Sequence, residues 1–144
     1  MKKLLILFCT VVLTACSTEE KEYKQESAFR NTSDYPVHLL VIGNLENLNK
    51  NDTLINAVLA KGESSVVFSY YNKSFIGFIH FNYIRIQFLN NNKGYICSFD
   101  ENKNLCFTKR ISPLLATSSE FVLESGIYHY EITQEDYENA HVLP

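Results

Sequence analysis

A chain of 144 residues, 46% hydrophobic and 20% charged, has the make-up of a single globular domain. Its formal charge is −3, and Lys109-Arg110 is the densest basic pair beyond the first three residues, so it lacks the cationic cluster that nucleic acid or an anionic headgroup surface demands. With five glycines, no Gly-x-Ser-x-Gly elbow and no glycine-rich phosphate loop, the sequence carries no pattern for nucleophilic or phosphoryl-transfer catalysis.

Residues 1–15 have the three regions of a secretory signal: Lys2 and Lys3, an apolar run from Leu4 to Leu13, then the small residues Thr14 and Ala15. The run is about ten residues long, and a helix needs about 20 to cross roughly 30 Å of hydrocarbon. Leu13-Thr14-Ala15-Cys16 resembles the lipobox of bacterial lipoproteins, in which the thiol receives diacylglycerol before the peptidase cuts. The resemblance implies cleavage between Ala15 and Cys16, lipidation of Cys16, and acylation of the new N-terminus by a chain such as palmitate. The implied partner is then the membrane itself, reached through two or more chains, which hold stably where one holds marginally. Processing takes Lys2 and Lys3 from the 13 basic residues, leaving 11 against 16 acidic and a formal charge of −5. Of four cysteines, Cys9 departs with the signal and Cys16 is lipidated, so Cys97 and Cys106 remain as a candidate pair in an oxidising compartment.

Ser17 to Arg30 is polar, largely charged and without apolar period. It is expected, with Cys16, to form a flexible tether over 16–30, and about 14 such residues as a coil span roughly 20 Å. Cys16-Ser17-Thr18-Glu19-Glu20 resembles the acidic cluster of surface-exported lipoproteins in some Gram-negative phyla, which implies an outer-membrane protein facing outward.

Residues 31–144 are enough for one domain with a real core. Short aromatic and β-branched runs predict strands at Tyr35 to Ile42, Thr53 to Leu59, Ser65 to Tyr71, Phe75 to Phe81, Tyr83 to Leu89, Gly94 to Phe99, Asn104 to Lys109, Glu120 to Leu123 and Ile127 to Ile132. With no helix of crossover length between them, the class is all-β, a sandwich or barrel. Alternation puts Ile84, Ile86 and Phe88 on a buried face against Tyr83, Arg85 and Gln87, and Tyr128, Tyr130 and Ile132 against Ile127, His129 and Glu131. Turns fall at Lys61-Gly62-Glu63, at Asn90 to Gly94 and at Glu124-Ser125-Gly126. A short C-terminal helix follows Thr133 as its cap, with Glu135 and Asp136 in its first turn and Tyr137 and Ala140 on one face.

Asn31-Thr32-Ser33 before Val37 to Val41, Lys61-Gly62-Glu63-Ser64, and Tyr130 to Tyr137 together resemble a family of small uncharacterised lipoproteins of Gram-negative anaerobes. That resemblance implies an antiparallel immunoglobulin-like sandwich of about seven to nine strands with the short C-terminal helix. It assigns no activity and no catalytic residue.

A hairpin centred between Glu101 and Asn102 would set Cys97 opposite Cys106. Cross-strand Cα separations of about 4.5 to 5.5 Å suit a disulfide. The alternative is two reduced, buried thiols. His38, His80, His129 and His141 show no His-x-His or His-x-Asp spacing, so no metal site and no cofactor is expected. Glu120, Glu124, Glu131, Glu135 and Asp136 read as wet strand-face carboxylates rather than a glycosidase pair. Nine Tyr and ten Phe without a Trp fill a core first, although Tyr70-Tyr71 and the Tyr83 face are where a glycan platform would lie. Asp52-Thr53-Leu54 resembles an O-glycosylation sequence of exported proteins, which would modify Thr53. The function expected is a non-enzymatic binding or accessory module on a lipid anchor, its partner a protein or glycan. The alternative is a periplasmic inhibitor or immunity lipoprotein that blocks a hydrolase or toxin.

Overall fold

The computed structural model describes residues 21–44, 52–99 and 105–144. Cys9, Ala15, Cys16 and the Ser17 to Glu20 cluster lie outside the described residues, as do Glu101 and Asn102. In chain order the strands are β1 (Tyr23–Asn31), β2 (Val37–Gly43), β3 (Asp52–Leu59), β4 (Phe68–Asn72), β5 (Phe81–Phe88), β6 (Lys93–Ser98), β7 (Val122–Glu124), β8 (Ile127–Ile132) and β9 (His141–Val142). A single helix, α1 (Gln134–Glu138), separates the last two. One sheet has the order β4-β1-β8-β7 and the other β3-β2-β5-β6-β9. All neighbours are antiparallel except β1 and β8. The fold is thus the all-β sandwich expected, closed by the short C-terminal helix.

Period-two alternation explains the larger sheet. Val37, Leu39 and Val41 of β2 lie opposite Phe88, Ile86 and Ile84 of β5, and all six side chains are buried. Their even-numbered and odd-numbered neighbours, such as Leu40 opposite Arg85, face outward. In the smaller sheet the β7–β8 hairpin turns through Ser125 and Gly126, both at positive φ (51° and 85°), the geometry that matches the twist of a two-residue hairpin. At the helix, the Thr133 side chain accepts from the Asp136 backbone N–H while the Asp136 carboxylate accepts from the Thr133 N–H, a reciprocal cap on both first-turn donors.

The tether expectation fails from Tyr23 onward. Tyr23–Asn31 is β1, an inner strand of the smaller sheet, antiparallel to β4 on one side and parallel to β8 on the other. Ser27, Phe29 and Asn31 are buried on its inner face. On the outer face the Arg30 guanidinium donates to Glu131 Oε1 from Nε (3.1 Å) and Nη2 (2.6 Å), and pairs with Glu124 through Nη1. The charges that suggested a solvated coil belong to the wet side of a strand.

Three further expectations are corrected. Phe75 to His80 is irregular: Gly77 at φ 85° breaks extended geometry, and Phe75, Phe78 and Phe81 are buried at a spacing of three. The strand expected at Asn104 to Lys109 does not form over its described residues, Leu105 to Lys109, which run through bends. The expected Glu120 to Leu123 strand is moved and shortened, a 3-10 turn at Ser118–Glu120 leading into β7.

The core between the sheets is dominated by rings. Phe29 stacks on Phe78 (centroids 4.5 Å apart) and meets Tyr130 edge-on at 5.9 Å. Asn31, fully buried, ties the end of β1 to the opposite sheet: its amide donates to the carbonyls of Tyr35 and Leu59, both at 2.9 Å. Its Oδ1 accepts from the Ser33 backbone N–H and hydroxyl. Asn31-Thr32-Ser33 is therefore a buried staple between sheets.

Phe29→Ala is expected to cost about 3–5 kcal/mol, because a ring at the centre of the stack leaves a cavity that its neighbours cannot fill. Urea unfolding of the two proteins measures it; a loss under about 1 kcal/mol would contradict an inner position for β1.

Candidate functional site

After β6 the chain from Leu105 to Ala116 covers the open side of the sandwich. Four contacts hold it there. Cys106 is disulfide-bonded to Cys97 of β6, with Cα atoms 4.7 Å apart. Phe107 stacks on Tyr95 at 3.9 Å with planes 6° apart. The Arg110 guanidinium lies 4.2 Å from the centre of the Tyr130 ring, and its Nη1 donates to Asp136 Oδ2 at 3.2 Å. The Tyr130 hydroxyl donates to the Ile111 carbonyl at 2.8 Å. The pairing expected for the two cysteines is present, but among the described residues no second strand sets it up; the segment is pinned across its own loop. In the chain-entropy account a sequence separation of 9 stabilises by about 2 to 3 kcal/mol.

The polar groups beneath this segment are fixed by burial. Asp136 is almost wholly enclosed, and burial pushes its carboxyl above the ordinary range, opposed by the Thr133 backbone N–H and the Arg110 charge. Burial likewise raises the Tyr95 and Tyr130 hydroxyls, so both stay protonated as donors, Tyr95 to the Asp136 carbonyl at 2.7 Å. Arg110 joins the covering segment, the β8 ring and the helix cap in one cluster.

Beside that cluster is a recess of about 350 Å³, floored by the disulfide and Phe107 and walled by Phe99, Arg110, Ile111, Leu114 and Leu115, with Ser98 and Ser112 as its hydroxyls. Phe99, Ile111 and Leu115 are also exposed to solvent on its rim. A smaller hollow of about 160 Å³ shares Phe107 and Arg110 with it and is bounded by Lys109, Glu135 and Asn139. The larger recess is apolar with one guanidinium in its wall. Such a surface gains from covering an apolar side chain or acyl chain.

The other singled-out residues are dispersed. His38 contacts the Asn56 side chain at 2.7 Å, and His141 Nε2 contacts the Cys106 carbonyl at 3.0 Å. His80 lies near Tyr70. Among the described residues no group of three or more His, Cys, Asp and Glu is placed to hold a metal ion. Glu124 and Glu131 are bound to Arg30, Asp136 to the helix cap, and Glu135 lines the smaller hollow. Glu120 ends the 3-10 turn. Tyr70 and Tyr71 do not share a platform: on a strand they take opposite faces, Tyr70 half-buried against Phe75 and Tyr71 exposed. Tyr83 is half-buried on the outer face of β5. Thr53 is exposed on β3, an edge strand. Arg110, missed as a site residue, had a signal in the sequence: a cation set among Phe107, Ile111, Leu114 and Leu115.

His129 departs from the wet position that alternation predicts. It is 8% exposed on the outer face of β8, where Ala28 of β1 and Val122 of β7 flank it, and its Nδ1 is buried without a hydrogen-bond partner. Burial lowers its pKa below the ordinary 6.5, the Arg30 charge adding to the effect, while Glu124 and Glu131 oppose it.

No family model, no curated protein and no solved structure matches the chain. Among the described residues no helix is long and apolar enough to cross a membrane.

Because His129 binds a proton less readily folded than unfolded, its neutral form supports the fold above pH 6.5, and that support is lost as pH falls through the lowered folded value. The difference in unfolding free energy between parent and His129→Gln is expected to shift in favour of the variant as pH is lowered from 7.5 to 5, measured by urea titration at each pH. A constant difference would show that His129 does not titrate with a lowered pKa.

Proposed function

We propose that this chain is an envelope lipoprotein, cut before Cys16 and held in the membrane by acyl chains on that residue, and that its sandwich is a non-enzymatic binding or accessory module. The observation that carries the anchor is Leu13-Thr14-Ala15-Cys16 directly after a basic and apolar leader. Ser17-Thr18-Glu19-Glu20 supports export to an outward-facing position on the outer membrane. The accessible Thr53 on an edge strand suits the modification its flanking residues suggest.

For the domain, the carrying observation is the recess beside Cys97–Cys106. Its walls are apolar, its rim holds three exposed large apolar residues, and a disulfide, a stacked ring pair and the Arg110 cluster fix its shape. A concave apolar surface on a rigid support, with apolar residues left in water around it, suits a binding site whose occupant covers them. Arg110 is committed to Asp136 and Tyr130, which suits a positioning role more than proton transfer.

Two measurements test the two halves. Cys16→Ser is expected to leave the protein without lipid and move it from the membrane to the soluble fraction; an acylated, membrane-bound variant would refute the anchor. In that soluble form, a fluorescent apolar probe is expected to bind at the recess, and Ile111→Glu with Leu115→Glu should weaken it roughly tenfold or more, the equivalent of about 1.4 kcal/mol. Unchanged probe affinity would remove the recess as the binding surface.

A further inference from the structure

The sandwich has two distinguishable ends. At one, β1 begins: Tyr23 lies opposite Asn72, the last residue of β4, and the chain returns from there towards the start of β5. Ile76 is on that return, its backbone N–H donating to the hydroxyl of Tyr70, whose partner on β1 is Gln25. A side chain at Gly77 would collide with the carbonyl of Ala116, so the covering segment meets the return loop here. The stretch that carries Leu115 is therefore brought up to the loop that carries Ile76. Phe99 follows the end of β6, where Ser98 pairs with Tyr83 near the start of β5, and it shares the recess with Ile111 and Leu115. Ile76, Phe99, Ile111 and Leu115 are 46%, 55%, 45% and 67% exposed. Phe99, Ile111 and Leu115 border the recess and Ile76 lies on the adjoining loop, towards the end of the domain at which the strand following Cys16 enters.

The reach of the chain decides what can cover that rim. Only residues 17–22 separate Cys16 from the start of β1. In any conformation these span at most about 20 to 25 Å, at roughly 3.5 Å per residue. An anchor at Cys16 therefore keeps the β1 end of the domain next to the bilayer.

We propose that this end of the sandwich lies on the phospholipid surface, with Ile76, Phe99, Ile111 and Leu115 entering the headgroup region and the recess opening onto it; the proposal rests on Cys16 being the lipid anchor. The attraction is apolar. A mature chain of formal charge −5 gains nothing from anionic headgroups, so a zwitterionic surface serves. In this orientation the recess is supplied from the membrane, and the occupant it favours is a lipid acyl chain. The far end, where Val142 of β9 pairs with Lys93 at the start of β6, is held away in water.

The chain contains no tryptophan, so a single one reports without background. Leu115→Trp, Phe99→Trp and, as the distal control, Val142→Trp replace residues that are each at least half exposed, so the fold tolerates them. The acylated, processed proteins are reconstituted into phosphatidylcholine vesicles, and tryptophan emission is compared with that in vesicles of brominated phosphatidylcholine. The expected result is blue-shifted emission that is lost with brominated lipid for Leu115→Trp and Phe99→Trp, while Val142→Trp keeps its aqueous spectrum. Vesicle-bound protein whose three probes respond alike overturns the orientation and leaves the anchor standing. Protein that carries no acyl chain and does not sediment with vesicles overturns both.

Discussion

The parallel pairing of β1 with β8 is the constraint on which the rest of the structure depends. It joins residues a hundred positions apart, Glu26 to Ile127 and Asn31 to Ile132, and puts the first described strand inside a sheet whose other members come from the middle and end of the chain. Phe29 thereby enters the centre of the aromatic core, and Asn31 reaches the carbonyl of Tyr35 just before β2 and that of Leu59 in the other sheet. Without β1, β4 and the β7–β8 hairpin would have no common partner, and three strands would each expose an unpaired edge. Parallel pairing over such a separation carries a large loop-closure cost, which the burial of Ser27, Phe29 and Asn31 in one continuous row offsets.

The covering segment is the second organising element, and it is held by side chains rather than by a ladder. Cys106, Phe107 and Arg110 each attach it to a different part of the sandwich: β6, the Tyr95 ring, and the Tyr130–Asp136 pair. Attachment at separated points leaves the backbone between them free of sheet geometry, and the space so left is the recess. The same contacts explain why the recess is apolar. Its one cation, Arg110, lies against the Tyr130 ring and pairs with Asp136, while outside the recess Asp136 caps the helix and Tyr95 and Tyr130 donate to backbone carbonyls. Polar groups buried at such a place need partners, and most here find one another, although Arg110 Nε is buried without one.

The position of β1 also alters how the anchor and the domain relate. Under the proposed Cys16 anchor, a tether as long as 16–30 would let the sandwich tumble above the membrane, whereas a strand beginning at Tyr23 shortens the slack to a few residues and would select the end of the domain that meets the lipid. The exposed residues at that end would then have a neighbour of matching chemistry in the proposed orientation.

Where a residue's fate depends on its near neighbours, the amino-acid sequence by itself determined it. Ile84, Ile86 and Phe88 alternate into the core, Ser125-Gly126 makes the hairpin turn, and Thr133 with Asp136 caps the helix, because each needs only a few adjacent residues. Tyr23–Asn31 was missed because its outer face carries Lys24, Glu26 and Arg30, although Ser27, Phe29 and Asn31 at alternate positions were a strand signal that charge density masked. Phe75 to Phe81 misled in the opposite direction, since apolar residues at a spacing of three can fill a core from irregular backbone as well as from a strand. Cys97 and Cys106 were matched correctly through a hairpin that the described residues do not form. Only the tertiary structure decided that His129 is enclosed, that Arg110 stands between Tyr130 and Asp136, and that Ile76 and Leu115 share an end with Tyr23. Each of these depends on which distant strands and loops come to lie side by side, and short-range periodicity carries no information about that choice.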